Sequence, residues 1–153
     1  MVRLADLPAD IADGYRKQVM PEFPGSPWTA SPPLMDARIA IVTTAGLHRR
    51  GDAKFAGGSS DYRLIPGDVD PADLLMSHVS VNFDRSGFQQ DLNVVLPLEH
   101  LRSLHEAGQI GSIADWHYSF MGATDPTRMQ EAATHVARLL HGDGVTNVIL
   151  VPV

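Results

Sequence analysis

The sequence contains no cysteine, no excess of basic residues and no hydrophobic run long enough to cross a membrane. Without cysteine, disulfides, thiolate metal sites and a thiol nucleophile are excluded within these 153 residues. The net charge of −6 disfavours a nucleic-acid partner, because such proteins need a basic surface. The longest nearly uninterrupted apolar run, residues 145–153, is far shorter than the ~20 residues of a membrane-spanning helix. No apolar signal segment follows the first residue, so we expect a cytoplasmic protein without a membrane partner.

The pattern of apolar residues predicts strands alternating with helices through most of the chain. The runs at 38–44 and 145–151 are rich in β-branched residues, which is typical of buried parallel strands. This alternation predicts an α/β fold, a three-layer sandwich with a mainly parallel, Rossmann-like sheet that breaks off after its last strand. The expected strands are 38–44, 62–65, 74–83, 113–120 and 145–151, the expected helices are 97–107 and 126–142, and the glycine-rich stretch 47–61 is expected to be a loop.

The first 36 residues differ in character from the rest. Leu7, Ile11, Tyr15 and Val19 recur every four residues and predict an amphipathic helix over 7–20. Five prolines follow between positions 21 and 33, which excludes a regular helix or a central strand there. We therefore expect two regions, an N-terminal helix with a proline-rich arm in 1–36 and an α/β domain in 37–153.

Sequence motifs of phosphate binding, dinucleotide binding, serine hydrolysis and zinc proteolysis are absent. Ligands of parallel sheets bind beyond the carboxyl ends of the strands, so residues that follow strands are the candidates. In the polar stretch 77–93, His78 is a candidate proton carrier and Asp84 and Asp91 are candidate carboxylates. The alternative is that both aspartates cap a solvated turn. The predicted pocket residues are Thr43, Thr44, His48, His78, Asp84, Asp91 and His117.

The seven histidines do not predict a metal centre. His100 and His105 are five residues apart, and His135 and His141 are six apart, so neither pair shares a helix face. We expect no metal. If one were bound, its ligands would be His48, His78 and His117, since each lies near the end of a predicted strand.

Five long segments, taken in order, resemble a known family. They include IVTTAGLHRRGDAKF, SHVSVNFDRSGFQQDLNVVLPLEHLRSL and the terminal DGVTNVILVPV. Together they resemble the selenoprotein B family of glycine, sarcosine, betaine and D-proline reductases, and within it the D-proline branch most. The segments are residues 41–55, 61–69, 77–104, 108–122 and 143–153.

The resemblance implies a subunit or fragment of a selenol- or thiol-dependent reductase that reductively cleaves a C–N bond of a small amino acid or amine. It implies a selenocysteine, or a cysteine, directly after Val153. In the D-proline branch it also implies a pyruvoyl group on a partner subunit, which binds the substrate amine, and an external dithiol that supplies electrons. Because the selenocysteine codon is also a stop codon, we expect the natural reading frame to continue past Val153.

Two expectations follow from this resemblance. The 153 residues alone should be inactive, and they should associate with a partner reductase subunit or with a second copy of the chain. The hypothesis requires that the end of the last strand lies beside a cleft. The alternative is a non-catalytic α/β binding or assembly module of the same family.

Overall fold

The computed structural model describes residues 3–19, 22, 25–80 and 85–153. None of the helices in these ranges combines the length and the apolar character needed to cross a bilayer. Short 3-10 turns connect several of the elements. The strands are β1 (Arg38–Thr43), β2 (Leu47–Arg49), β3 (Arg63–Pro66), β4 (Leu74–Met76), β5 (Ser112–Ile113), β6 (Trp116–Ser119) and β7 (Asn147–Val151), and the α-helices are α1 (Ala9–Arg16), α2 (Ser86–Gln90), α3 (Leu98–Glu106) and α4 (Gln130–Gly142).

The main sheet is built around β1. This strand pairs in parallel with β5, β6 and β7, while β6 pairs antiparallel with β3. The carbonyl of Ile39 accepts from the N–H of Ala114, next to β5, whereas the N–H of Thr44 donates to the carbonyl of Val151 in β7. Neighbouring residues of a strand direct their backbone groups to opposite sides, so β5 and β6 lie on one side of β1 and β7 on the other. The predicted mainly parallel sheet is confirmed.

Helices cover both faces of this sheet. On one face, Ile39 of β1 belongs to the same apolar cluster as Leu98 and Leu101 of α3. On the other face, Val42 of β1 packs against the cluster that contains Val136 of α4. This alternation along β1 produces three layers and confirms the α/β class, while the Rossmann-like arrangement within that class stays a prediction. β2 and β4 form a separate antiparallel pair.

Among the described strands, β7 is an edge strand that pairs with β1 alone. Because Val151 directs its backbone groups towards β1, those of Val148, Leu150 and Pro152 point away from the sheet. The side chains of Val148 and Leu150 are 40% and 64% exposed. This edge therefore combines free backbone groups with apolar side chains.

The N-terminal helix is shorter than predicted and its apolar stripe faces mainly solvent. α1 ends at Arg16, whereas the pattern predicted a helix as far as Met20, which lies outside the described residues. Ile11 and Tyr15 are about half exposed, and Ala12 is the buried residue of this helix. The proposed division into 1–36 and 37–153 stays a prediction.

The strand predicted over 113–120 is interrupted, because β5 ends at Ile113 and β6 begins at Trp116. At the gap, the N–H of Ile41 donates to Nδ1 of His117 at 3.0 Å, so an imidazole replaces a backbone acceptor. Two further expectations were wrong, because β2 lies in the stretch predicted as a loop and the strand predicted over 74–83 ends at Met76. In addition, the sequence pattern predicted no element at α2.

Candidate functional site

Several chain segments meet at the carboxyl edge of the sheet. The N–H of Gly46 donates to the carbonyl of Phe120 at 2.8 Å, and the N–H of Ser77 donates to the carbonyl of Gly46 at 2.9 Å. The N–H of Gly122 donates to the carbonyl of Thr44 at 2.9 Å. The segments that follow β4, β6 and β7 thereby line a cavity of about 560 Å³, and the segment after β1 is hydrogen-bonded to them. Residues from these segments that line it include His78, Ser80, Gly122, Thr124, Asp125 and Val153.

The chain just after β7 is held at the wall of this cavity by Thr44. The Thr44 Oγ1 accepts from the N–H of Val153 at 2.8 Å and lies 3.3 Å from the Val153 carbonyl, to which it donates. At Gly122, an added Cβ would lie 2.5 Å from the Val153 carbonyl oxygen and 3.0 Å from that of Thr44. Glycine is therefore the residue that lets these backbones approach so closely. Although β7 is an edge strand, the chain that follows it lies beside a cleft, as the hypothesis required.

His78 is the buried histidine of this cavity, with 5% of its surface exposed. Its Nδ1 accepts from the N–H of Ser80 at 3.2 Å, which places the proton of the neutral ring on Nε2. Gly46, at φ +67°, packs closely against the His78 backbone, because an added Cβ would lie 3.0 Å from the backbone nitrogen of His78. Burial, and then the positive charge of Arg85, lowers the pKa of His78 below its ordinary value. The imidazole is therefore neutral at pH 7.

Thr124 and Asp125 line the same cavity and carry polar groups. The Asp125 Oδ1 accepts from the hydroxyl of Thr127 at 2.8 Å and from its N–H at 2.9 Å, and these bonds lower the pKa of Asp125. The buried Thr124 hydroxyl donates to the carbonyl of Ser59 at 2.7 Å. No arginine or lysine of the described residues lines the cavity. A carboxylate beside a neutral imidazole suits a ligand with a cationic nitrogen better than an anion.

Of the seven predicted pocket residues, His78 lines this cavity, and Thr44 contacts Val153 of the cavity wall without lining the cavity itself. Thr43 is fully buried, and its Oγ1 accepts from the N–H of Ala45 at 3.2 Å. His48 is buried on β2, where its Nδ1 lies 3.0 Å from the carbonyl oxygen of Arg49. These two residues are part of the framework rather than of the cavity wall.

The predicted carboxylates lie elsewhere or outside the described part of the chain. Asp91 is exposed, and its Oδ1 accepts from the N–H of Asn93 at 2.8 Å, which lowers the pKa of Asp91. Asp91 therefore caps a turn, which is the alternative role that the sequence pattern indicated for the two aspartates. Asp84 lies outside the described residues.

His117 is fully buried within the sheet. Burial, followed by the charge of Arg102, lowers the pKa of His117 to about 4. Its Nδ1 accepts from Ile41, and its Nε2 has no hydrogen-bond partner within the described ranges. Across those ranges, no three histidine, aspartate or glutamate side chains lie close enough to hold a metal ion, so His48, His78 and His117 form no ligand set there.

Sequence reasoning missed Gly122, Thr124 and Asp125, although all three follow a strand. The signal was available, since the same strand-end argument that selected Thr44 applies to the segment after β6. Tyr15 of α1 and Gln18, which follows that helix, also line the cavity. No local pattern indicated that α1 would reach this edge of the sheet.

A family model described as "Glycine/sarcosine/betaine reductase selenoprotein B" matches residues 17–153. The chain belongs to the selenoprotein B family. It is 30% identical over 145 residues to D-proline reductase subunit gamma of Acetoanaerobium sticklandii, an alignment that covers 92% of this chain and 59% of that protein. The betaine reductase complex component B subunit beta of Peptoclostridium acidaminophilum is 31% identical over 123 residues, covering 76% of this chain and 28% of that protein.

A third relative, the sarcosine reductase complex component B subunit beta of Peptoclostridium acidaminophilum, is 27% identical over 143 residues, covering 89% of this chain and 32% of that protein. The chain therefore spans about three fifths of the D-proline relative and less than a third of the other two. No solved structure matches it significantly. As a selenoprotein B family member, the chain is a relative of components of multi-subunit reductases.

Proposed function

We propose that this chain is part of a reductase subunit that reductively cleaves a C–N bond of a small amino acid or amine, at the cavity beside the end of β7. The family match and the names of the relatives support a role in such a reductase. The observation that carries the proposal is that the backbone of Val153 and the buried His78 line the same cavity. Substrates of the D-proline, glycine, sarcosine and betaine type all carry a nitrogen that is cationic near pH 7.

The redox group of this reaction comes from outside these 153 residues, since they contain no cysteine. We place it directly after Val153, as selenocysteine or cysteine, because Thr44 and Gly122 fix the backbone there. The selenol or thiol supplies the nucleophile, and a pyruvoyl group on a partner subunit is the additional group in a D-proline-type enzyme. Overall, two electrons and two protons break the C–N bond, and a dithiol is oxidised to a disulfide.

The side chains of the cavity then have distinct roles. The ionised Asp125 attracts the cationic nitrogen of the substrate. As the cationic nitrogen takes the electron pair of the breaking C–N bond it departs as a neutral amine, and His78, neutral with its proton on Nε2, gives that proton to the amine and recovers one from solvent. Thr44 acts as a positioning residue, because it touches the backbone at Val153 rather than the substrate.

The first test uses the native protein purified from its natural host. We expect an intact mass above 16.6 kDa, selenium or an additional cysteine, and dithiol-dependent reduction of D-proline, glycine, sarcosine or betaine in the presence of its partner subunit. Turnover by residues 1–153 alone would contradict the proposal. A native protein of 16.6 kDa without selenium would instead favour a non-catalytic assembly module.

The second test compares two buried histidines in the active complex. His78→Gln should lower kcat by about a hundredfold, the usual effect of losing a general acid, and should remove one limb of the pH profile. His48→Gln is the matched control, because His48 is also buried but does not line the cavity. Equal effects of the two substitutions on kcat would rule out a specific role for His78.

A further inference from the structure

A second groove, of about 650 Å³, lies between α4 and residues 60–62. It shares no lining residue with the cavity at the end of β7. Arg128, Glu131, His135 and Arg138 line one wall at intervals of three, four and three residues, and Tyr62 lines the other. Such intervals place side chains along a single helix face. The groove thus has charged groups on both walls, and Asp61 on the wall of Tyr62 is already paired with Arg63 Nη1 at 2.6 Å.

The walls of this groove are fixed by packing. The Tyr62 hydroxyl lies 3.0 Å from Nδ1 of His135, and the Tyr62 ring packs against Tyr118 and Phe120 with centroids 5.8 and 5.9 Å away. This cluster ties the segment before β3 to α4. The shape of the groove therefore does not depend on a loosely held loop.

Arg128 is held in place by a close approach to the backbone. Gly58 has a φ of +75°, and an added Cβ there would lie 2.9 Å from Nη1 of Arg128. The guanidinium therefore rests directly on the Gly58 backbone, and this leaves less side-chain entropy to lose when an anion binds.

The two arginines of the groove lack the ion pairs that several other arginines of this acidic chain form. Arg16, Arg49 and Arg63 each form an ion pair with a nearby aspartate. Arg128 and Arg138 form none within the described part of the chain, although acidic residues outnumber basic ones, 18 to 12. Two guanidinium groups with free donors are suited to binding carboxylates or phosphates.

The spacing of these charges selects among anionic ligands. Ten residues separate Arg128, in the 3-10 turn 126–129, from Arg138 of α4, which corresponds to about 15–16 Å along the axis. A single phosphate or carboxylate cannot span that distance. In an extended peptide, two acidic side chains four residues apart lie on the same face about 13 Å from each other. Glu131 lies between the arginines and opposes a continuous row of phosphates such as a nucleic acid presents.

We propose that this groove binds an extended segment of another protein, in which two acidic side chains four residues apart flank a basic or neutral residue. The order of charges along the wall of residues 128–138, positive, negative, positive, is complementary to that pattern, and the carboxylate of the opposite wall, Asp61, is compensated by its ion pair with Arg63. Relatives of this chain are named as subunits and complex components, so a protein partner agrees with the family. The proposal does not depend on the redox chemistry of the other cavity.

The probe is the acetylated and amidated peptide Glu-Thr-Lys-Thr-Glu, titrated into the ¹⁵N-labelled full chain. We expect amide shifts at Tyr62 and His135, and weaker binding of Thr-Glu-Glu-Lys-Thr, which has the same composition in another order. The double substitution Arg128→Gln with Arg138→Gln should weaken binding about tenfold or more, equivalent to about 1.4 kcal/mol. Arg50→Gln, at an exposed arginine outside the groove, is the control and should leave binding unchanged.

If Arg128→Gln disturbs folding through its contact with Gly58, Arg138→Gln alone provides the test, and we expect it to weaken binding several-fold. Equal binding of the two peptides would overturn the proposed spacing. Equivalent shifts with inorganic phosphate would show a small-anion site instead, and tighter binding of oligothymidylate would show a nucleic-acid site. Absence of shifts with the probe peptide would overturn the proposal altogether.

Discussion

Acid should destabilise this protein through His117. In the folded protein its Nδ1 accepts the N–H of Ile41 at 3.0 Å, and protonation of that nitrogen would remove the acceptor. Burial lowers the pKa of His117 to about 4, whereas the ordinary pKa of a histidine, which applies to the unfolded chain, is 6.5. The unfolded chain therefore binds the proton more strongly. Stability contributed by this residue is complete above pH 6.5 and is lost as the pH falls from 6.5 to about 4.

The size of this effect follows from the same pKa difference. Each unit corresponds to about 1.4 kcal/mol, so the shift from 6.5 to about 4 amounts to about 3 kcal/mol of unfolding free energy. Domains of this size are stable by about 5–15 kcal/mol. Protonation of His117 alone should therefore remove a substantial part of the unfolding free energy in mild acid.

The assay is urea unfolding between pH 7.5 and 4, followed by tryptophan fluorescence, for the wild type and for His117→Asn. The Asn side chain carries an oxygen that can accept from Ile41 and does not titrate. The carboxylates and His78 titrate in both proteins, so the difference between the two curves isolates His117. We expect the wild type to lose about 3 kcal/mol more than the variant. Parallel curves would refute the assignment of the low pKa to His117.

Three further substitutions test the framework. Gly122→Ala should cost about 1–3 kcal/mol, because its Cβ would overlap the chain after β7, whereas Gly142→Ala has open space and should be neutral or stabilising in thermal unfolding. Thr44→Val removes the hydroxyl that holds the same segment, so hydrogen exchange at the Val153 N–H should accelerate with a loss of about 1 kcal/mol. Arg38→Met removes three hydrogen bonds of 2.6–2.7 Å in a mostly buried cluster and should lower the free energy of unfolding in urea by about 2 kcal/mol. Arg16→Met removes an exposed ion pair and should lower it by less than about 1 kcal/mol. Equal losses would contradict this ranking.

The elements with strong local signals were predictable from the sequence. β1, β7, α3 and α4 were all found because a β-branched run or a repeated apolar spacing marks each of them. The gap between β5 and β6 was not predictable, since a strand pattern continues through it and the compensating contact comes from His117 to a distant strand. β2 was missed because three residues are too few to show a period, and it is specified by pairing with β4.

Only part of the candidate cavity could be inferred in the same way. The rule that ligands bind beyond strand ends selected His78, which lines the cavity, and Thr44, which holds Val153 at the cavity wall. It equally selected His48 and His117, because sequence alone does not show whether a polar side chain turns into the core. Tyr15 reaches the cavity through the placement of α1, which depends on tertiary packing rather than on local pattern.

The outer side of β7 has a consequence for how the molecule behaves at high concentration. Val148 and Leu150 present outward N–H groups, but Pro152, next in that row, has none. An incoming β-strand would find two successive donors and then a position that offers no donor. The length over which a further strand can pair with the edge of β7 is thereby limited, and this disfavours open-ended growth into fibrils.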